Sequence, residues 1–176
     1  MFKPHLEKAR QYWTELLKPN DAVIDATCGN GKDTAFLASL VPQGQLVSID
    51  IQETALIKAR SLAPPNVTFL HQSHTDLPSI KDLKLVVYNL GYLPGGDKTI
   101  TTMTESTLQS LAKAAELVVV GGGLSITCYP GHPEGAIEEK AVERWVNQLN
   151  FEKWHVFYHQ WRAGSPTLFF IVKLKI

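Results

Sequence analysis

The chain has 176 residues, with 17 Lys plus Arg against 17 Asp plus Glu, and is 44% hydrophobic and 19% charged. This balance excludes a disordered or fibrous chain, and it excludes attraction to polyanions or anionic membranes by net charge, so a polyanion site must be local. The longest strongly apolar runs, Leu117 to Val120 and Leu168 to Val172, fall far short of the roughly 20 residues of a membrane helix. The start of the chain mixes His5, Glu7, Lys8 and Arg10 and lacks the apolar stretch of a signal peptide, so a cytoplasmic location is expected. Cys28 and Cys128, without a C-x-x-C spacing, read as buried thiols.

In chain order, His5 to Leu17 places Leu6, Ala9, Tyr12 or Trp13, and Leu16 or Leu17 on one helical stripe, an amphipathic helix appended to a single domain covering 1–176. Ala22 to Ala26 predicts a strand, then a turn rich in Gly and Asn, then a helix over Lys32 to Leu40. Gln45 to Asp50 and Val67 to Leu70 predict strands around a helix at Glu53 to Leu62. Leu85 to Asn89 is a fourth strand, and Thr104 to Leu117 a helix. Leu124 to Tyr129 is a fifth strand and Glu134 to Leu149 a helix, with final strands at Trp154 to His159 and Leu168 to Leu174. Alternating strands and helices imply a mostly parallel seven-stranded α/β sheet covered on both faces. The final pair has no helix between its members, so its second strand runs antiparallel, inserted or at an edge.

Open α/β sheets bind ligands where strands end at their C-terminal edge. The first such turn is Asp25-Ala-Thr-Cys-Gly29-Asn-Gly31, whose glycines admit backbone conformations or a close ligand that a Cβ would block. Asp50, 25 residues after Asp25, ends the second strand, where a carboxylate takes both hydroxyls of a ribose. The third glycine position of a dinucleotide turn holds Thr34, and Asp25 would repel a pyrophosphate but suit an ammonium. S-adenosylmethionine (SAM) fits that charge pattern, with a dinucleotide and a purely structural turn as alternatives.

Asn89-Leu90-Gly91-Tyr92 follows the fourth strand, so it faces the same crevice. Methyl transfer to nitrogen needs hydrogen-bond acceptors for the N–H groups and a lone pair aimed at the methyl. The Asn89 amide and the carbonyl of Leu90 or Gly91 would serve, with Tyr92 stacking on an extruded base. Tyr129 and His132 end the fifth strand at the same edge, as a pocket wall and as a proton acceptor or substrate contact. Ser73 and His74 follow the third strand, where an adenine would lie. The H-x-x-H of His71 and His74 lacks a third ligand and predicts no metal. Lys3, Lys8, Arg10, Lys18, Arg162, Lys173 and Lys175 read mainly as a solvated face with scattered phosphate contacts. Trp13, Trp154 and Trp161 read as core residues, or as dimer contacts where exposed.

Asp25-Ala-Thr-Cys-Gly-Asn-Gly-Lys-Asp-Thr34, Ile49-Asp-Ile-Gln52, Ser73-His74, Asn89 to Lys98 with Thr99 to Thr102, and Gly131-His-Pro-Glu-Gly135 together resemble one small family, the tRNA 5-(aminomethyl)-2-thiouridine methyltransferases. The loop at Asn89 is also similar to the Asn-Pro-Pro-Tyr loop of amino-group methyltransferases. The resemblance implies a Rossmann-like class I methyltransferase that methylates the 5-aminomethyl group of a wobble uridine in the anticodon stem-loop of tRNA. It implies cofactor contacts from Asp25, Thr27, Gly29, Asn30, Gly31, Asp33, Thr34, Asp50, Gln52, Ser73, His74 and Asn89. It implies catalysis by Asn89, His132 and Tyr92. Substrate contacts are expected from His5, Leu90, Gly91, Tyr92, Gly95, Gly96, Asp97, Lys98, Tyr129, His132 and Arg162. A protonated alkylamine must lose a proton before attack, to His132, to His5, or to water before binding. A homodimer is expected from the modest size. Arg162-Ala-Gly-Ser-Pro166 departs from the Asn-rich loop expected before the last strand. An rRNA base-amine methyltransferase, a small-molecule amine methyltransferase and a non-catalytic nucleoside-binding module remain open.

Overall fold

A computed structural model describes residues 3–91 and 102–176. Seven strands form one sheet: β1 (Ala22–Asp25), β2 (Gln45–Asp50), β3 (Val67–His71), β4 (Leu83–Asn89), β5 (Gly123–Cys128), β6 (Trp154–Gln160) and β7 (Thr167–Lys173). Their order is β3-β2-β1-β4-β5-β7-β6. The first five are parallel, and β7 runs antiparallel between β5 and the edge strand β6. The expected antiparallel strand is therefore the inserted one. Chain order reverses between β1 and β4, so the ends of these two strands, Asp25 and Asn89, bound a crevice.

Alternation along the strands divides the core in two. Val23, Leu46, Leu85, Val87, Leu168 and Phe170 face α1 (Pro4–Leu16) and α2 (Lys32–Leu40), while Ile24, Ile49, Val86, Leu124, Ile126 and Ile171 face α4 (Thr104–Leu117) and α5 (Pro133–Asn147). The helix α3 (Glu53–Arg60) buries Ala55, Leu56 and Ala59. The N-terminal helix is more than an appendage: Ala9 and Trp13 are fully buried beside Val23 and Leu37. Trp154 is also buried, whereas Trp161 is exposed. Both cysteines are buried.

Gly31 opens α2 in the left-handed region, at φ 77°. A Cβ there would stand 2.6 Å from Cα and Cβ of Ala59, so the glycine lets α2 and α3 converge behind the first turn. Gly31→Ala is expected to cost about 3 kcal/mol through strain and overlap, lowering Tm by roughly 10 °C. Thermal unfolding checks this; an unchanged Tm contradicts it.

Candidate active site

A cavity of about 600 Å³ lies at the C-terminal ends of β1, β2 and β4. Its floor is the turn after β1. Gly29, at φ 53°, turns its N–H to Asp50 Oδ2 at 2.8 Å, while Gln52 N–H donates to Asp50 Oδ1 at 2.9 Å. Each carboxylate oxygen keeps a further lone pair, so Asp50 is preorganised to accept a vicinal diol. Ser73 and His74, after β3, form the adjoining wall. His74 is buried, and that burial lowers its pKa, leaving a neutral ring 3.4 Å from Ser106 Oγ.

Opposite the turn, Asn89 is held by three elements. Its backbone N–H donates to Thr27 Oγ1 at 2.7 Å, and its Nδ2 donates to Asp33 Oδ2 at 3.1 Å. The Tyr129 hydroxyl donates to Oδ1 at 3.4 Å. Burial, reinforced by Asp33, raises the Tyr129 pKa, so the phenol stays protonated as the donor. Asp33 is fixed in turn by Arg10 of α1, whose Nη2 lies 2.8 Å from Oδ1. These bonds assign the amide orientation: Nδ2 toward Asp33, Oδ1 as the acceptor.

Several expected residues do not line the cavity. Asp25 is fully buried beneath it, accepting from Thr34 Oγ1 at 2.6 Å and Thr27 N–H at 3.2 Å. It therefore does not meet a ligand ammonium; Asp33 and Asp50 are the carboxylates that face the cavity. Thr34 binds Asp25 and Ser48 rather than a ligand, and Gly31 packs on Ala59. Burial is the main cause that moves the Asp25 pKa from 3.8 to about 7. A raised folded-state pKa stabilises the protein below 3.8, and that stabilisation is lost as pH rises to about 7. Asp25→Asn is expected to remove this decline and to raise Tm at pH 8 relative to the parent. Thermal unfolding from pH 4 to 8 checks it; a parallel pair of curves contradicts it.

His132 lines the cavity as the N-cap of α5, with Nδ1 accepting from Gly135 N–H at 3.2 Å. Glu134 Oε2 is 3.5 Å away, at the limit of a hydrogen bond, so the cap governs the ring. The cap thus engages Nδ1, one of the two ring nitrogens that could take up a proton. His5 is buried against the edge of Tyr129 at 5.5 Å and does not line the cavity. Of the two expected carbonyl acceptors, Gly91 O already accepts from Thr102 N–H at 3.1 Å, so Leu90 O is taken as the substrate acceptor. Arg162 lies outside the lining, although Gly164 and Pro166 of the same turn belong to it. Tyr92, Gly95, Gly96, Asp97 and Lys98 lie outside the described residues. Thr27, Asn30, Asp33, Gln52, Leu90, Gly91 and Tyr129 line the cavity as expected.

Lys3, Leu6 and Arg10 bring α1 to the cavity, although Lys3 and Arg10 were expected mainly on a solvated face and Leu6 only on the core stripe. Leu6 belongs to the stripe of Ala9 and Trp13, and Lys3 and Arg10 extend that face to the cavity edge. Among the described residues, no group of three or more His, Cys, Asp or Glu side chains comes together to hold a metal ion, and no helix is long and apolar enough to cross a membrane.

The donor set suits an adenosyl sulfonium. A diol acceptor follows β2, a neutral aromatic wall follows β3, and Asp33 occupies the first turn of α2, where a pyrophosphate would otherwise dock. The protein is a class I SAM-dependent methyltransferase. Residues 46–173 match the family described as "Putative rRNA methylase", and the chain belongs to that family. It is 32% identical, over 97% of its length and 70% of the relative's, to an Arabidopsis thaliana protein named "tRNA (mnm(5)s(2)U34)-methyltransferase, chloroplastic". A structure of a "putative rRNA-methylase" from Clostridium thermocellum is 34% identical with a TM-score of 0.91, covering 99% of this chain and 100% of that one. A "putative methyltransferase" from Streptococcus mutans in complex with SAH is 30% identical with a TM-score of 0.84, at 99% and 100% coverage.

Proposed function

We propose that this enzyme methylates the 5-aminomethyl group of a wobble uridine, or its 2-thio form, in the anticodon stem-loop of tRNA. The observation that carries this reading is the locked amide of Asn89, whose Oδ1 is presented at the cavity by Asp33 and Tyr129. The tRNA-modifying relative supports the substrate class.

When bound, SAM supplies an electrophilic methyl group on a sulfonium. Asp50 holds the ribose hydroxyls, Gln52, Ser73 and His74 border the base, and Thr27, Asn30 and Asp33 border the amino-acid end. The substrate amine enters neutral, having lost its proton to water. Asn89 Oδ1 and Leu90 O accept its two N–H bonds, which turns the nitrogen lone pair toward the methyl. The nitrogen lone pair forms the new N–C bond, the old S–C pair returns to sulfur, and the resulting ammonium sheds a proton to solvent. His132 and Tyr129 border the uracil ring, and Tyr92 stacks on it. This scheme needs no protein base and no metal.

A substrate panel with methyl-labelled SAM tests the reading: tRNA carrying 5-aminomethyluridine, rRNA, and small primary amines. Label in the tRNA alone, falling as salt rises, is expected, because local cations must hold the phosphates. Label in rRNA or in small amines, with none in tRNA, contradicts it.

A further inference from the structure

The strand β6 is one edge of the sheet, opposite β3, and the turn that follows leads back to the cavity rim through Gly164 and Pro166. A row of rings follows the same path. Tyr129, a wall of the cavity, meets His5 edge-on at 5.5 Å, and His5 meets Trp161 at 6.4 Å. Trp161 stacks on His159 at 5.8 Å with planes 23° apart, and His159 Nε2 lies 2.7 Å from the Tyr12 hydroxyl. Tyr12 is 5.3 Å from Phe157. Trp161 and Phe157 are 42% and 37% exposed, although large apolar rings gain from burial. The row thus begins at the reacting end of the cavity and emerges on the surface.

Cations border it. Lys8 Nζ sits 4.9 Å above the Tyr12 ring, Lys3 lines the cavity, and exposed Arg162 follows Trp161 in the chain. Burial and Lys8 lower the His159 pKa, so that ring presents a neutral aromatic face. Exposed aromatic faces beside fixed cations are how single-stranded nucleic acids are held, since every base offers a face to stack on and phosphates seek the cations. A second copy of this chain fits less well, because a two-fold contact centred on the row would set Lys8 and Arg162 against their own copies.

We propose that Trp161, backed by His159, is a stacking platform for an unpaired nucleotide next to the methylated one, with Lys3, Lys8 and Arg162 on the flanking phosphates. This rests on the reading of the substrate as an RNA loop. The stem remains outside the cavity, which admits only the modified base, and the row holds the splayed loop beside it.

The test compares the parent with Trp161→Ala and Trp161→Phe. It measures binding of a fluorescently labelled anticodon stem-loop in the presence of S-adenosylhomocysteine, S-adenosylhomocysteine affinity alone, and oligomeric state by light scattering. Trp161→Ala is expected to weaken hairpin binding about tenfold, at unchanged cofactor affinity and unchanged oligomeric state, with Trp161→Phe recovering most of the loss. Equal hairpin affinity in the alanine variant overturns the platform, as does a parent that binds no hairpin. A loss that accompanies dissociation of a dimer also overturns it and assigns the row to a second copy. Because binding is read without turnover, a parent that binds through Trp161 but methylates no tRNA retains the platform while the methylation reading fails.

Discussion

Asn89→Ala is expected to lower kcat by roughly 100- to 1,000-fold while the SAM dissociation constant changes less than about threefold. The orientation of the amide is set from both ends: Asp33 takes Nδ2 and Tyr129 donates to Oδ1. Alanine removes the acceptor and leaves the amine free to rotate its lone pair away from the methyl. The cofactor floor, built by Gly29, Asp50 and Gln52, does not depend on the Asn89 side chain. Steady-state kinetics with RNA, beside calorimetric SAM binding, separate the two effects. Turnover within about threefold of the parent would contradict the role of Asn89 as amine acceptor.

Asp50→Ala should do the reverse at the cofactor, weakening SAM by roughly 30- to 300-fold. Two losses combine. The diol loses a charged acceptor, and the Gly29 and Gln52 N–H groups lose the carboxylate that holds the turn in place. Turnover at saturating SAM should recover most of the parent rate, because the amine acceptors are untouched. Equal SAM affinity in the variant would remove Asp50 from the ribose.

The fold was legible because its signals are local. The apolar strands are short, the helices carry their stripes, and α2, β2 and α4 begin and end where the pattern predicts. The inserted position of β7 could not be chosen over an edge position, since strand order depends on contacts far apart in the chain.

The site was legible where a residue type has one chemistry at one place. Asp50 and Asn89 end strands beside the reversal of chain order, and both face the cavity. Asp25 also ends a strand, but which way a terminal side chain turns depends on what lies beneath, here Thr34 on α2. Charge alone assigned it to the ligand, whereas burial raises its pKa to about 7 and makes it the partner of a buried hydroxyl.

His132 has a second role, as a helix cap, that was not assigned to it. Pro133 marks the first helical residue, so the residue before it is the N-cap, and an imidazole there spends Nδ1 on the helix. That signal was present in the sequence, but the helix was begun at Glu134 and His132 was read as a proton acceptor or substrate contact. The Arg10–Asp33–Asn89 relay had no comparable signal, since α1 and α2 meet only in three dimensions.

The central claim is that this cavity directs a methyl group onto one exocyclic amine of tRNA. Nucleoside mass spectrometry tests it most directly, on tRNA carrying 5-aminomethyluridine incubated with the parent or with Asn89→Ala, with and without SAM. The expected result is one added methyl at that nucleoside, dependent on SAM and nearly absent with the variant. No methyl gained in the presence of SAM, or equal gain with Asn89→Ala, would contradict the account.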